Sequence, residues 1–244
     1  MAIIRLIFVG LLWLCGEISA HAEVSISGTD KLVRANILAY LRLDDEPCDA
    51  PDWRVRRLFA DADTEIRESL EVVGYYNVEI EKKLDTSTAC WQANFVITVG
   101  QPVLLRTISI KVETGGAQDI ELDNAVQECA LRSGDVLQHA NYDACTRRIA
   151  RIARERGYFS AEFIERRIDI YPDELAADIT LHFKTGPRYL FGTTSFDQEV
   201  LDDDLIRRFV SITPGEPYDA ILVRRLQRDL ITSAYFDQVA FKPA

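Results

Sequence analysis

Hydrophobic positions along the chain change their period in a fixed order. Val24-Ser25-Ile26-Ser27-Gly28 alternates and closes on glycine, which predicts a short strand and a turn. Val33, Ile37, Tyr40 and Leu41 then recur at helical spacing and predict a helix over about 30–42. Asp45-Glu46-Pro47-Cys48-Asp49-Ala50-Pro51 reads as a loop, after which Asp52 is placed to cap a longer helix starting near Trp53. One face of that helix carries Val55, Leu58, Phe59, Ala62, Ile66, Leu70 and Val73, and Gly74 stands where a left-handed stop is expected. Two alternating stretches follow, Val78, Ile80 and Leu84, then Phe95, Ile97 and Val99. The order is strand, helix, helix, strand, strand.

The same order returns. Ile108, Ile110 and Val112 alternate before a Gly115-Gly116 turn, and a short helix carries Leu122, Val126 and Cys129. Asn141 is placed to cap a helix bearing Tyr142, Cys145, Ile149, Ile152 and Ala153, stopped by Gly157. Strands are predicted around 163–170 and 179–183. A third copy opens at Leu190-Phe191-Gly192, with one helix after Asp202-Asp203-Asp204 and another bearing Tyr218, Leu222, Leu226 and Leu230. Residues 235–241 supply one strand, and the closing strand is missing before Ala244, so the chain reads as part of something longer. Tyr142-Asp143-Ala144 and Tyr218-Asp219-Ala220 open what look like corresponding helices. The clearest self-similarity is Gly74-Tyr75-Tyr76, Gly157-Tyr158-Phe159 and Ala234-Tyr235-Phe236, roughly 80 residues apart, the mark of repeated small domains.

The first residues are of another kind. Arg5 precedes an apolar run over 6–15, and Ala20-His21-Ala22 has the small-x-small form of a secretory cleavage site, with the cut between Ala22 and Glu23. The apolar run is too short for a bilayer, which takes about 20 residues. The net charge of −11 argues against nucleic acid, which selects a basic surface. In an exported chain, Cys48, Cys90, Cys129 and Cys145 suggest disulfides. If the copies are separate domains the simplest pairing is Cys48–Cys90 and Cys129–Cys145; four buried thiols are the alternative.

Little else carries chemistry. His139 and His182 have no ligand partner at metal spacing, and Asp202-Asp203-Asp204 lacks the glycine and glutamate of a calcium loop. Acidic residues opening a helix are favoured by its dipole. No phosphate loop or nucleophile elbow is present, so no cofactor, metal, catalytic group or small-molecule substrate is expected. The arginine runs over 54–57, 147–156, 166–167, 207–208 and 224–228 have two readings, solvated helix faces or contact with anionic lipid headgroups or an acidic partner.

A strand-helix-helix-strand-strand unit with Gly-Tyr-aromatic after its second helix resembles the POTRA domain. Three in tandem behind a leader resemble the periplasmic arm of the outer-membrane barrel assembly superfamily. Within it, residues 62–80, Gly157-Tyr158-Phe159-Ser160-Ala161-Glu162-Phe163 and Thr185-Gly186-Pro187-Arg188-Tyr189-Leu190-Phe191-Gly192 are similar to the TamA family. The resemblance implies an α+β fold, with a signal peptide over 1–22 and POTRA domains over 23–102, 103–188 and 189–244, the third lacking its last strand. It also implies a non-enzymatic role in assembling autotransporters and other outer-membrane proteins at the periplasmic side of the outer membrane. A TamB-like inner-membrane-anchored protein and unfolded outer-membrane clients are the implied partners. That family continues into a barrel, of which nothing here alternates as barrel strands do. An arm from another barrel assembly or two-partner secretion protein, a soluble periplasmic adaptor, and an α+β enzyme are the competing readings. A small sheet grips other chains at its edge, so Val24, Ser25, Ile26 and Ser27, with Ile108, Ile110 and Val112, are the expected docking strands.

Overall fold

The computed structural model describes residues 22–87, 90–116 and 118–241. The leader and its Ala20 lie outside the described residues, while Ala22 and Glu23 are within them. The chain divides into two compact units, one made of Met1–Ser69 with Val78–Val99, the other of Leu70–Asn77 with Gly100–Ala244.

The first unit runs β1 (Glu23–Ser27), α1 (Lys31–Tyr40), α2 (Asp52–Glu71), β2 (Val78–Asp85) and β3 (Gln92–Val99), with the end of α2 counted in the second unit. Its sheet has the order β1-β3-β2, with β3 parallel to β1 and antiparallel to β2. The helical crossover after β1 brings β3 back parallel, and the direct β2–β3 connection turns it antiparallel to β2. The period-two pattern is explained by burial on one face: Ala93, Phe95 and Ile97 are buried, whereas Gln92, Asn94, Val96 and Thr98 are exposed. The helix α2 buries Val55, Ala62 and Ile66, and its Phe59 ring lies 5.6 Å from that of Phe95. Asp30 caps α1 by accepting from the Leu32 and Val33 amides. A disulfide joins Cys48 to Cys90, and beside it the Trp91 indole donates to the Pro47 carbonyl.

The second unit repeats the plan with β4 (Leu104–Glu113), α3 (Ile120–Gln127), α4 (His139–Glu155), β5 (Glu162–Tyr171) and β6 (Ala176–Lys184). Its sheet order is β4-β6-β5, again with the last strand central, parallel to one neighbour and antiparallel to the other. Leu105, Leu122, Leu137, Tyr142, Ile149, Ile179, Leu181 and Phe183 form its core. A disulfide joins Cys129, just past α3, to Cys145 in α4. The unit continues through α5 (Asp203–Ile206) and α6 (Ala220–Thr232), where Ile206, Leu226 and Leu230 bury a smaller cluster.

Four expectations need correction. Residues 235–241 form no strand, and among the described residues the third copy has only one isolated bridge, Leu190 to Pro217. In both sheets the last strand is the central one, so a copy without it leaves each outer strand with no ladder partner. Asp52 does not cap α2; it is the first helical residue, paired with Arg56, and the Pro51 carbonyl accepts from Arg54 and Val55. Asn141 does not cap α4, which starts at His139. Nor do the two Tyr-Asp-Ala segments correspond: Tyr142 is buried inside α4, whereas Tyr218 precedes α6. The helix α6 has 13 residues against 17 in α4, about one turn shorter. A whole turn can be deleted without rotating the helix face, but the letters no longer align.

Candidate functional site

The feature with binding potential is the outer edge of each small sheet. Along β1, Glu23 N donates to Trp91 O, so the odd-numbered residues direct their backbone groups to β3. Alternation then sends the N–H and C=O of Val24 and Ile26 outward, while their side chains turn to the core side, Ile26 being buried. Ser25 and Ser27 are committed to β3. The corresponding parity holds in β4, where core-facing Leu105 donates outward to Asp135 O. Ile108, Ile110 and Val112 pack against the core and share that parity beyond the bulge at Arg106. Of the residues expected to dock a partner, these three with Val24 and Ile26 present edge groups.

The edges differ in how they are protected. The start of β4 is already occupied: Leu105 bonds Asp135 O and Gly134 N, and Leu104 bridges to Val136. Residues 107–112 stay open at the edge. Sheet edges are commonly blunted with charge or bulges. The edge strands β2 and β5 carry such devices along their length, Glu79, Glu81, Lys82 and Lys83 on β2, and Glu165, Arg166 and Arg167 with a bulge beside Phe163 on β5. On β4 the bulge is at Arg106 and the charges are at 106, 111 and 113. Val24-Ser25-Ile26-Ser27 and Thr107-Ile108-Ser109-Ile110 carry no charge.

At the head of β4, Arg106 pairs with Glu174 and Asp178 and stacks over Tyr171 at 4.8 Å. This guanidinium holds the Asp178 carboxyl down at about 2, chiefly through its hydrogen bond. The Arg106 and Glu174 charges are exposed and screened and Asp178 is only half-buried, so the pairs fix geometry more than stability.

A second device appears twice in the second unit. Gly74 O accepts from Val103 N, Leu137 N donates to Val103 O, and Leu105 exchanges bonds with 134–135. Farther along, Gly157 O accepts from Tyr189 N, Tyr218 N donates to Tyr189 O, and Phe191 exchanges bonds with 215–216. Both anchoring glycines are left-handed, φ 94° and 87°. A Cβ would meet Leu137 O at 2.6 Å at Gly74 and Tyr218 Cβ at 2.7 Å at Gly157, so the close approach requires glycine.

The Gly157 clasp has a charged centre. Asp119 is buried, its side chain 1% exposed, and accepts from Arg156, Tyr158 and its own helix at Glu121 N, with Arg188 at 3.3 Å. Arg188 also donates to the carbonyls of Arg156 and Tyr218, and Arg156 pairs with Asp219. Burial, with the neighbouring Asp119 charge, pushes the Tyr158 phenol up. Phe159 stacks edge-on to Tyr189 and Tyr218 at 5.3 and 5.0 Å. The stretch around Arg188 noticed in the sequence is therefore a structural tie. Asp119 escaped sequence reading, although an acid directly before the apolar start of a helix is a capping signal that was there to be read.

The histidines are engaged. His139, the first residue of α4, meets the Tyr76 hydroxyl at 3.0 Å. His182 lies 3.2 Å from Glu113, a carboxylate brought near by the fold and not by sequence spacing. Among the described residues no group of His, Cys, Asp and Glu could hold a metal, and no helix is long and apolar enough to cross a membrane.

Residues 23–99 match the family model described as POTRA domain, TamA domain 1. Among solved structures the chain is similar to Haemophilus influenzae BamA POTRA3-5, at 20% identity over 90% of this chain and 87% of that one, TM-score 0.47. It is also similar to POTRA1-3 of the Anabaena Omp85 periplasmic domain, at 13% identity over 88% and 84%, TM-score 0.36. The N-terminal domain of Omp85 from Thermosynechococcus elongatus is a third, at 17% identity over 91% and 89%, TM-score 0.33.

Proposed function

We propose, from the match of residues 23–99 to the family model of TamA domain 1, that the chain is the non-enzymatic periplasmic arm of a TamA-type outer-membrane assembly factor. Its division into domains over 23–102, 103–188 and 189–244 is part of that reading, as is its export by a leader cut before Glu23. The arm binds unfolded outer-membrane clients, autotransporters among them, and the strand-rich end of a TamB-like partner. A strand is added by main-chain hydrogen bonds at β1 or β4, so recognition reads backbone and tolerates varied side chains. The observation that supports this is the pair of uncharged edges, at 24–27 and 107–110, whose core-facing residues direct backbone groups outward.

The test is capture of a fluorescent outer-membrane strand peptide by the full chain. Proline at Ile26 would damage the core, because Ile26 is buried, so Val24→Pro and Ile110→Pro are the variants of choice. Each removes one outward donor and places a ring at the edge. Affinity is expected to fall about tenfold or more per edge used, from one lost hydrogen bond and the strand it seeded. Undiminished capture by the double variant, with its circular dichroism unchanged, would remove edge pairing as the mode of docking.

A further inference from the structure

The outward face of α6 differs from that of α4. Leu226 and Leu230 bury with Ile206, and at about 100° per residue Ile221, Arg224, Arg228 and Ile231 fall on the opposite side. Ile221 and Ile231 are 60% and 44% exposed, and Tyr235, just beyond the helix, is 55% exposed. Arg224 and Arg228 line a shallow groove of about 350 Å³ with Gln227, Ile231 and Thr232. Arg224 reaches Glu155 only at 3.5 Å, and among the described residues Arg228 has no ion-pair partner. On α4, Arg148 and Arg151 pair with Glu128 and Glu155, Arg147 meets Asp143 only at 3.9 Å, Arg154 has no ion-pair partner among the described residues, and the exposed apolar side chains beside them are alanines. Each helix thus leaves one exposed arginine without an ion-pair partner among the described residues, and the face of α6 differs in being apolar as well as cationic.

We propose that this face of α6 is a contact site for an anionic phospholipid surface. Arg224 and Arg228 would bind headgroup phosphates through paired N–H donors. Ile221, Ile231 and Tyr235 would enter the boundary between headgroups and acyl chains, where aliphatic and amphipathic aromatic groups are favoured. An acidic polypeptide would satisfy the arginines but leave the isoleucines without an apolar medium, which is why lipid fits better. The site is independent of the strand-docking reading. A sheet completing the third copy would cover Leu226 and Leu230, on the other side of the helix. The net charge of −11 repels an anionic surface at long range, so the contact acts locally, within a screening length of about 8 Å at physiological ionic strength.

Flotation of the full chain with vesicles tests this. Recovery is expected with phosphatidylcholine vesicles containing phosphatidylglycerol and not with phosphatidylcholine alone. Arg224→Gln with Arg228→Gln is expected to lower partitioning about 25-fold, from about fivefold per basic side chain. Ile221→Ser with Ile231→Ser should also lower it on the same vesicles. Arg147→Gln with Arg151→Gln removes the same charge from α4 and should change it less than fivefold, with unfolding midpoints recorded for every variant. Absence of wild-type binding, equal binding to both vesicle types, or an equal loss in the α4 variant would overturn the proposal. So would displacement by millimolar inorganic phosphate, or Arg224- and Arg228-dependent binding of polyglutamate without vesicle binding.

Discussion

Gly157 sits at a left-handed φ of 87° with its missing Cβ directed at Tyr218 Cβ, 2.7 Å away. Alanine there meets two costs, about 1–2 kcal/mol for the backbone and about 1–3 for the overlap. Gly157→Ala should therefore lower stability by about 2–5 kcal/mol, read as a lower urea midpoint. Asp119 gives a second residue-scale expectation. Its carboxylate is shared by Arg156, Arg188 and Tyr158, and Asp119→Ala leaves two partly buried guanidiniums without it. Breaking such a pair from one side costs about 3–5 kcal/mol. Tyr76 sets an alkaline limit. Burial, with Glu71 nearby, pushes its phenol up to about 12, above the ordinary 10.0. The folded state thus favours the protonated phenol, and its contribution is complete below pH 10 and lost as pH rises toward 12. Tyr76→Phe should flatten the stability–pH curve across that window, and phenolate absorbance at high pH should show one fewer late-titrating tyrosine than in the wild type, where Tyr158 is also raised.

At the scale of elements, the disulfides are local clips with calculable weight. Cys129–Cys145 closes a separation of 16 residues and Cys48–Cys90 one of 42. By loop-closure entropy, removing them costs about 3 and about 4 kcal/mol respectively. Paired Cys→Ala variants should show those losses in denaturant melts under oxidising conditions, and in each of them reductant should add only the loss that belongs to the remaining disulfide. Both pairs stay within one copy of the strand-helix-helix-strand-strand order, and that order was legible because β3 and β6 alternate cleanly between core and water. Helix starts were less legible. Pro51 and Gln138 precede the two long helices without a side-chain cap bond, while the tempting Asp52 and Asn141 already lie inside them. The backbone bonds that join 103–105 to 134–137 were invisible for another reason: main-chain pairing between distant segments leaves no periodic trace in the sequence. Only the glycines that permit it are written there, Gly134 and Gly215 with left-handed backbone at the turns.

For the molecule as a whole, the placing of the central strand last in each copy has a measurable consequence. A sheet whose middle arrives at the end has no ladder until then, so its outer strands are only as ordered as that strand allows. In the first two copies β3 and β6 are present, and each bonds neighbours on both sides. In the third, residues 190–196 and 235–241 carry the apolar composition of outer strands but have no ladder, and what order they have comes from α6 and the cluster around Leu226. Amide exchange should therefore be slowest along β3 and β6 and fast, with opening free energies near ~0, at 193–196 and 237–241. Leu190 and Phe191 should stand between, since Phe191 N is bonded to Glu216 O and Leu190 bridges to Pro217. Strong protection at 237–241 would mean that these residues find a strand partner in solution. If that protection grew with protein concentration, the partner would be a second copy of the chain, pairing through the edge that the first two copies close internally.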